Sequence, residues 1–153
     1  MLLVRIAQAL EAARLPYAVV GGYALALHGA MRGTVDVDLV IRFREADFQK
    51  LEKVMSSLGL VSRLPVTARE VFQFREEYLR NRNLRAWSFV NPSVPADVVD
   101  IILSEDLARM KVKRIKFRGQ VIRVASVQDL IRMKQKSDRL QDQEDVKSLK
   151  ELS

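Results

Sequence analysis

Residues 21–39 read GGYALALHGAMRGTVDVDL. A glycine pair, Gly21-Gly22, opens a short run rich in alanine and leucine. After Gly33, the apolar Val35, Val37 and Leu39 alternate with Asp36 and Asp38. Alternation of this kind predicts a half-buried strand. Successive side chains of a strand point to opposite faces, so Val35, Val37 and Leu39 face a core while the two aspartates share the other face. Carboxylates this close repel, and the pair is costly unless a cation neutralises it or one member takes up a proton. An oxygen-only donor set suits a hard cation such as magnesium.

Outward from this stretch, the chain alternates helix and strand signals. Leu3, Ile6, Leu10 and Ala13 fall on one helical face over residues 2–15, and Pro16 ends that helix. Tyr17 to Val20 predicts a short buried strand, and Gly21-Gly22 the turn into a helix over residues 23–30. The Asp-x-Asp strand runs to about Arg42. Phe48, Leu51, Val54, Met55 and Leu58 mark a further helix, with Gly59 as its C-terminal glycine. Residues 60–66 read as irregular or as an edge strand broken by Pro65, and residues 67–80 as helix or as strand plus turn. A strand is predicted over 84–90, a proline loop over 91–95 and a buried strand over 98–103. A short helix over 104–110 and a hairpin around Arg118-Gly119 follow. Ser126 and Asp129 then cap a helix reaching about Ser137, and a last helix over 141–152 has Val146, Leu149 and Leu152 as its stripe. The order argues for an α/β (α+β) domain with a mixed sheet flanked by helices. At 153 residues one domain is expected, with a core over about 1–104 and a C-terminal hairpin and helices over about 105–153.

The third notable carboxylate is Asp100, inside the apolar run Val98-Val99-Asp100-Ile101-Ile102. A charge within a buried strand is costly unless paired or metal-bound. An arginine salt bridge is the structural alternative, and the Asp-x-Asp strand favours the metal role. Asp97 reads as a loop or cap carboxylate. Three carboxylates from two neighbouring strands can hold two divalent cations, which clamp the attacking and leaving oxygens of a displacement at phosphorus. A glycine turn before a helix offers backbone N–H groups to phosphate. Together these are the parts of a phosphoryl or nucleotidyl transfer site.

The stretch GGYALALHGAMRGTVDVDLVI resembles the signature of the nucleotidyltransferase fold of the DNA polymerase β superfamily, closest to its small prokaryotic abortive-infection and toxin–antitoxin branch. VVDIIL is similar to the strand carrying that superfamily's third aspartate, and VASVQDLIRMKQKSDRLQDQEDVKSL to its lysine-bearing tail. The resemblance covers most of the chain, less well over residues 60–84. It implies a transferase that moves a nucleoside monophosphate from a nucleotide triphosphate to an acceptor hydroxyl and releases pyrophosphate. Asp36, Asp38 and Asp100 would be catalytic and hold two Mg2+ ions, with Mn2+ as a substitute. Gly21 and Gly22 would line the triphosphate, with Arg32 and Lys134 as further nucleotide contacts. The acceptor is left open among RNA, protein and small molecule, as is a homodimer or an antitoxin-like partner. Many members of the superfamily have Gly-Ser where this chain has Gly21-Gly22, which removes one hydroxyl contact to phosphate. Other readings are a non-catalytic binding module of the same fold, and a small basic RNA-binding domain whose acidic cluster is structural.

Composition agrees with these readings and narrows them. There is no cysteine, which excludes disulfides and thiolate metal sites and fits a reducing cytoplasm. No apolar run is long enough for a membrane span, so the expected location is cytoplasmic. The net charge of +7 fits a polyanionic partner or plain solubility. Residues 109–123 contain Arg109, Lys111, Lys113, Arg114, Lys116, Arg118 and Arg123 and no acid. This stretch reads as a solvated edge strand or as a track for RNA or for a phosphorylated acceptor. His28 reads as structural, Lys134 as snorkelling or phosphate-binding, and Arg139, Asp142 and Asp145 as helix-end charge pairs.

Overall fold

The structure is a computed structural model that describes residues 1–30, 33, 36–136 and 140–152. Its seven strands form one mixed sheet in the order β3-β4-β5-β2-β1-β7-β6. The strands are β1 (Ala18–Val20), β2 (Val37–Val40), β3 (Val61–Ser62), β4 (Ala86–Asn91), β5 (Val94–Ile102), β6 (Val112–Phe117) and β7 (Gln120–Ala125). The helices are α1 (Leu2–Ala12), α2 (Gly21–Leu27), α3 (Glu45–Ser57), α4 (Ala68–Gln73), α5 (Arg75–Asn81), α6 (Val127–Gln135) and α7 (Leu140–Leu152). β2 runs antiparallel to β1 and parallel to β5, and β7 runs parallel to β1. The mixed sheet flanked by helices is the α/β architecture that the alternating pattern predicts.

Period-two patterning fixes which way the central strands face. Val37 and Leu39 of β2, Val99 and Ile101 of β5, and Trp87 and Phe89 of β4 are buried. They stand opposite one another across the sheet. Phe43, Phe48, Phe72, Trp87 and Phe89 extend this core through stacked and edge-on ring contacts. Burying side chains of this size contributes about 1.5–3 kcal/mol each before entropy is counted. α1 adds Leu3, Ile6 and Leu10 and stops short of Pro16, with Arg14 in the left-handed region at φ 55°.

Several segments resolve what the sequence left open. The segment after residue 66 is two helices, with Thr67 and Glu70 forming a capping box at the start of α4. Residues 61–62 are an edge strand. The predicted proline loop is shorter than expected: β5 begins at Val94 and includes Pro95, and Asp97 lies within the strand. β2 pairs with β5 only over residues 99–101, so Pro95 sits on a part of β5 that owes no hydrogen bond to β2. Residues 104–110 hold one 3-10 turn, Leu107–Arg109. On α7 the expected stripe is displaced. Leu149 is buried, but Leu152 is exposed, and Asp142 and Asp145 occupy the inner face instead. α6 ends at Gln135, short of the expected Ser137. The expected helix-end pairing on Arg139 lies outside the described residues, as do Arg32, Thr34 and Val35.

Candidate active site

Four strands bring the site together in one line. Val20 is the register partner of Asp38, Asp38 of Asp100, and Asp100 of Ser88. The neighbours of Asp38, Asp100 and Ser88 along each strand are buried apolar residues, so these three side chains emerge on the opposite face. Ser88 Oγ donates a hydrogen bond to Asp100 Oδ1 at 2.5 Å. Asp100 in turn shares a side-chain hydrogen bond with Asp38.

Two carboxyl groups share a hydrogen bond only if one holds a proton, and the electrostatics assign it to Asp38. Burial, then Asp100, then Asp36 push the Asp38 carboxyl from its usual 3.8 up to about 7, against a smaller opposing pull from Lys134. Asp36 lies one residue before β2 and acts on Asp38 through its charge. As the side chains stand, no three His, Cys, Asp or Glu residues are grouped in metal-ligand geometry among the described residues. The donor chemistry nonetheless fits a hard divalent cation. The oxygens of Asp38 and Asp100 face one another, and a proton now screens their repulsion where a cation would do so more fully.

Gly21 is held against this pair. Its φ is +69°, and a Cβ placed there would lie 2.9 Å from the carboxyl carbon of Asp38. Only glycine permits both the backbone angle and the approach. Gly22 is buried at the start of α2. Gly21 and Asp38 line a cleft of about 480 Å3 with Arg85, Ser104, Lys134 and Asp142. Leu130 and Met133 of α6 supply an apolar wall.

Lys134 therefore faces the carboxylates across the cleft. Its Nζ lies 3.0 Å from Asp142 Oδ1 and 3.5 Å from Asp145 Oδ2. Asp142 and Asp145 are 1% and 4% exposed, so they are interior anchors for Lys134 rather than surface pairs at a helix end. α7 packs along α6 and turns this face inward.

Ser88, Arg85 and Ser104 escape a reading by motif. Ser88 alone had a usable signal, since it alternates with Trp87 and Phe89 and so had to share a face with the carboxylate opposite. His28 is structural, with Nε2 hydrogen-bonded to Ala125 O at 2.8 Å. The basic stretch is spread over several elements. Arg109 lies on the 3-10 turn, Arg123 pairs with Glu11 at 3.0 Å, and Arg118 occupies the β6–β7 turn at φ 50°.

Residues 2–152 match the family described as nucleotidyltransferase of unknown function, DUF6036. The chain belongs to this family and is a nucleotidyltransferase by that membership. No curated protein matches the sequence. Among solved structures the fold is similar to an antigenic nucleotidyltransferase-like protein from Paracoccidioides brasiliensis, with TM-score 0.64 and 18% identity over 99% of this chain and 75% of that one. It is also similar to the antibiotic-resistance factor ANT(2'')-Ia, with TM-score 0.64 and 14% identity over 97% of this chain and 80% of that one. The lincomycin-bound lincosamide antibiotic adenylyltransferase LnuA gives TM-score 0.61 and 13% identity over 95% of this chain and 92% of that one. At these identities the likeness is one of fold. Among the described residues no helix is long and apolar enough to cross a membrane.

Proposed function

We propose that this member of the nucleotidyltransferase family moves a nucleoside monophosphate from a nucleotide triphosphate to an acceptor hydroxyl, with magnesium as its cofactor. The observation that carries the reading is the cross-strand line Asp38, Asp100, Ser88, against whose first member Gly21 is held too closely for any side chain. Asp38 and Asp100, with Asp36 beside them, would hold the divalent ions. When bound, such ions neutralise the phosphates and draw charge from the leaving group.

The chain's own groups supply the rest. Backbone N–H groups at Gly21 and Gly22 meet the triphosphate where no Cβ intervenes. Lys134, fixed by Asp142 and Asp145, places a positive charge on the facing wall. Ser88 holds Oδ1 of Asp100, and once a cation takes the place of the proton shared with Asp38, the Asp100 carboxylate can accept the proton of the acceptor hydroxyl. The new bond joins that oxygen to the α-phosphorus. The bond to the bridging oxygen of the β-phosphate breaks, and pyrophosphate leaves with the electron pair. Preorganised charge of this kind accounts for most of the rate in such chemistry.

The test is transfer of label from α-labelled nucleotide triphosphates, with magnesium, to a fractionated mixture of RNA, protein and small molecules. Label should enter one fraction with wild-type protein and none with Asp38→Asn. Transfer unaffected by that substitution would overturn the assignment. The likeness of the glycine-pair stretch to the abortive-infection and toxin–antitoxin branch extends the proposal to a growth-arresting role with a neutralising partner. Arrest on expression of wild type but not of Asp38→Asn would support that extension.

A further inference from the structure

A second cleft, of about 490 Å3, opens beside the first and shares Ser104 and Lys136 with it. Asp100 and Ile102 project from the same face of β5, and Ser104 follows them, so the shared wall continues the strand that carries the carboxylate. A molecule seated in the second cleft and crossing Ser104 therefore enters the first cleft, which Asp38 and Lys134 line.

Arg75, Arg109, Arg132 and Lys136 line this second cleft with Glu105 and Asp106, and Glu76 lies 3.4 Å from Arg75 and Asp129 3.5 Å from Arg132 outside the lining. Both lining acids are engaged. Glu105 is 7% exposed at its side chain and holds Arg132 at 2.8 Å and Lys136 at 3.5 Å. Asp106 Oδ1 accepts from the backbone N–H groups of Phe43 and Ala108. The Arg75 guanidinium lies 4.4 Å from the Phe43 ring centre, and its Nε donates to Leu103 O at 2.6 Å, which fixes it in the wall. Among the described residues Arg109 pairs with no carboxylate.

We infer that this cleft is the acceptor subsite and that it takes a small acceptor bearing a phosphate group, with Arg109 as the principal contact and Arg75 and Lys136 beside it. Guanidinium and ammonium groups lining one cleft, with Arg109 among them without a carboxylate partner, bind oxyanions and repel polycationic amines. A volume of about 490 Å3 falls in the range of small-molecule sites, and a sugar phosphate fits it. The inference rests on the transferase reading for the word acceptor, but the binding chemistry stands apart from it.

The test is calorimetric titration of the full chain, saturated with magnesium and a non-hydrolysable ATP analogue, with ribose 5-phosphate, ribose, spermidine and a short single-stranded RNA as separate probes. Ribose 5-phosphate should bind at least about tenfold more tightly than ribose, and Arg109→Gln should remove that advantage, a factor expected for one lost charge-assisted contact. Arg109 is exposed, so the variant should melt at the wild-type temperature. Three results would overturn the inference: equal binding of ribose and ribose 5-phosphate, stronger binding of spermidine or of the RNA than of ribose 5-phosphate, or an Arg109→Gln loss that falls on the ATP analogue in equal measure. The last would place Arg109 in the triphosphate site. If ribose 5-phosphate binds as expected while no label transfer is found with any acceptor, the transferase reading fails and the phosphate subsite stands.

Discussion

Lys134 Nζ lies 3.0 Å from Asp142 Oδ1, and the two side chains join α6 to α7 at the wall of the cleft. With Asp145 3.5 Å away, one ammonium group is set against two buried carboxylates. Removing one partner of a buried ion pair leaves a charge without compensation and costs about 3–5 kcal/mol. Lys134→Met should therefore destabilise the protein in urea melts more than Asp142→Asn does, because it removes the ammonium group from both acids at once, whereas Asp142→Asn keeps the Lys134–Asp145 contact. Asp142→Asn keeps an oxygen that accepts from Lys134. It should retain nucleotide affinity in equilibrium titrations while Lys134→Met loses it.

Gly21 and Gly119 separate backbone strain from crowding. Both have positive φ, +69° and +79°, but a Cβ at Gly119 meets nothing within 4 Å, whereas at Gly21 it strikes Asp38. Each substitution to alanine should lower stability by roughly 1–2 kcal/mol for the left-handed backbone. Only Gly21→Ala should also abolish binding of the magnesium–nucleotide complex, measured by titration calorimetry. Equal loss in both variants would show that the close approach to Asp38 has no functional role.

The raised carboxyl of Asp38 gives a pH dependence of definite sign. Between its unfolded value of 3.8 and its folded value of about 7, the native state holds a proton that the unfolded chain has released. Stability from this group is fully present below about pH 4 and declines as pH rises through 7. Wild-type protein in chelator should lose stability over that window relative to Asp38→Asn. The melting-temperature rise given by magnesium should be larger at pH 8 than at pH 6, since at the lower pH the ion must displace the proton.

Ser88 orients Asp100 without touching the nucleotide in this scheme, so it is a positioning residue. Ser88→Ala should lower kcat roughly tenfold, in keeping with the ~1.5–3 kcal/mol attributed to a hydrogen bond to a charged group, and leave the KM for nucleotide unchanged. Ser88→Thr keeps the hydroxyl and should restore most of that kcat. Equal loss in Ser88→Thr and Ser88→Ala would point to a structural role.

The parts of this protein that were legible in its sequence are local ones. Val37, Leu39, Val99 and Ile101 mark their strands by alternation, and that alternation already implies that Asp38 and Asp100 leave the core on the other face. The capping box of Thr67 and Glu70 was equally available from its spacing, and without it the segment stayed open between helix and strand. The buried face of Asp142 and Asp145 was not legible, because helical periodicity ranks apolar residues and sees two acids as solvent-facing. Nor was the second cleft, whose walls come from Phe43, Arg75, residues 104–109 and α6, and no local pattern links segments so far apart.

The strand order bears on how the polypeptide matures during synthesis. β1 is made within the first 20 residues, yet its parallel neighbour β7 begins only at residue 120, and the ammonium group on the far wall of the pocket belongs to residue 134. Nascent chains halted before that point carry the glycine pair and the aspartates with an open sheet edge and no opposing wall. Such fragments should be inert and prone to associate, and the protein should gain competence in a single late step, when the hairpin closes the sheet and the last helices dock.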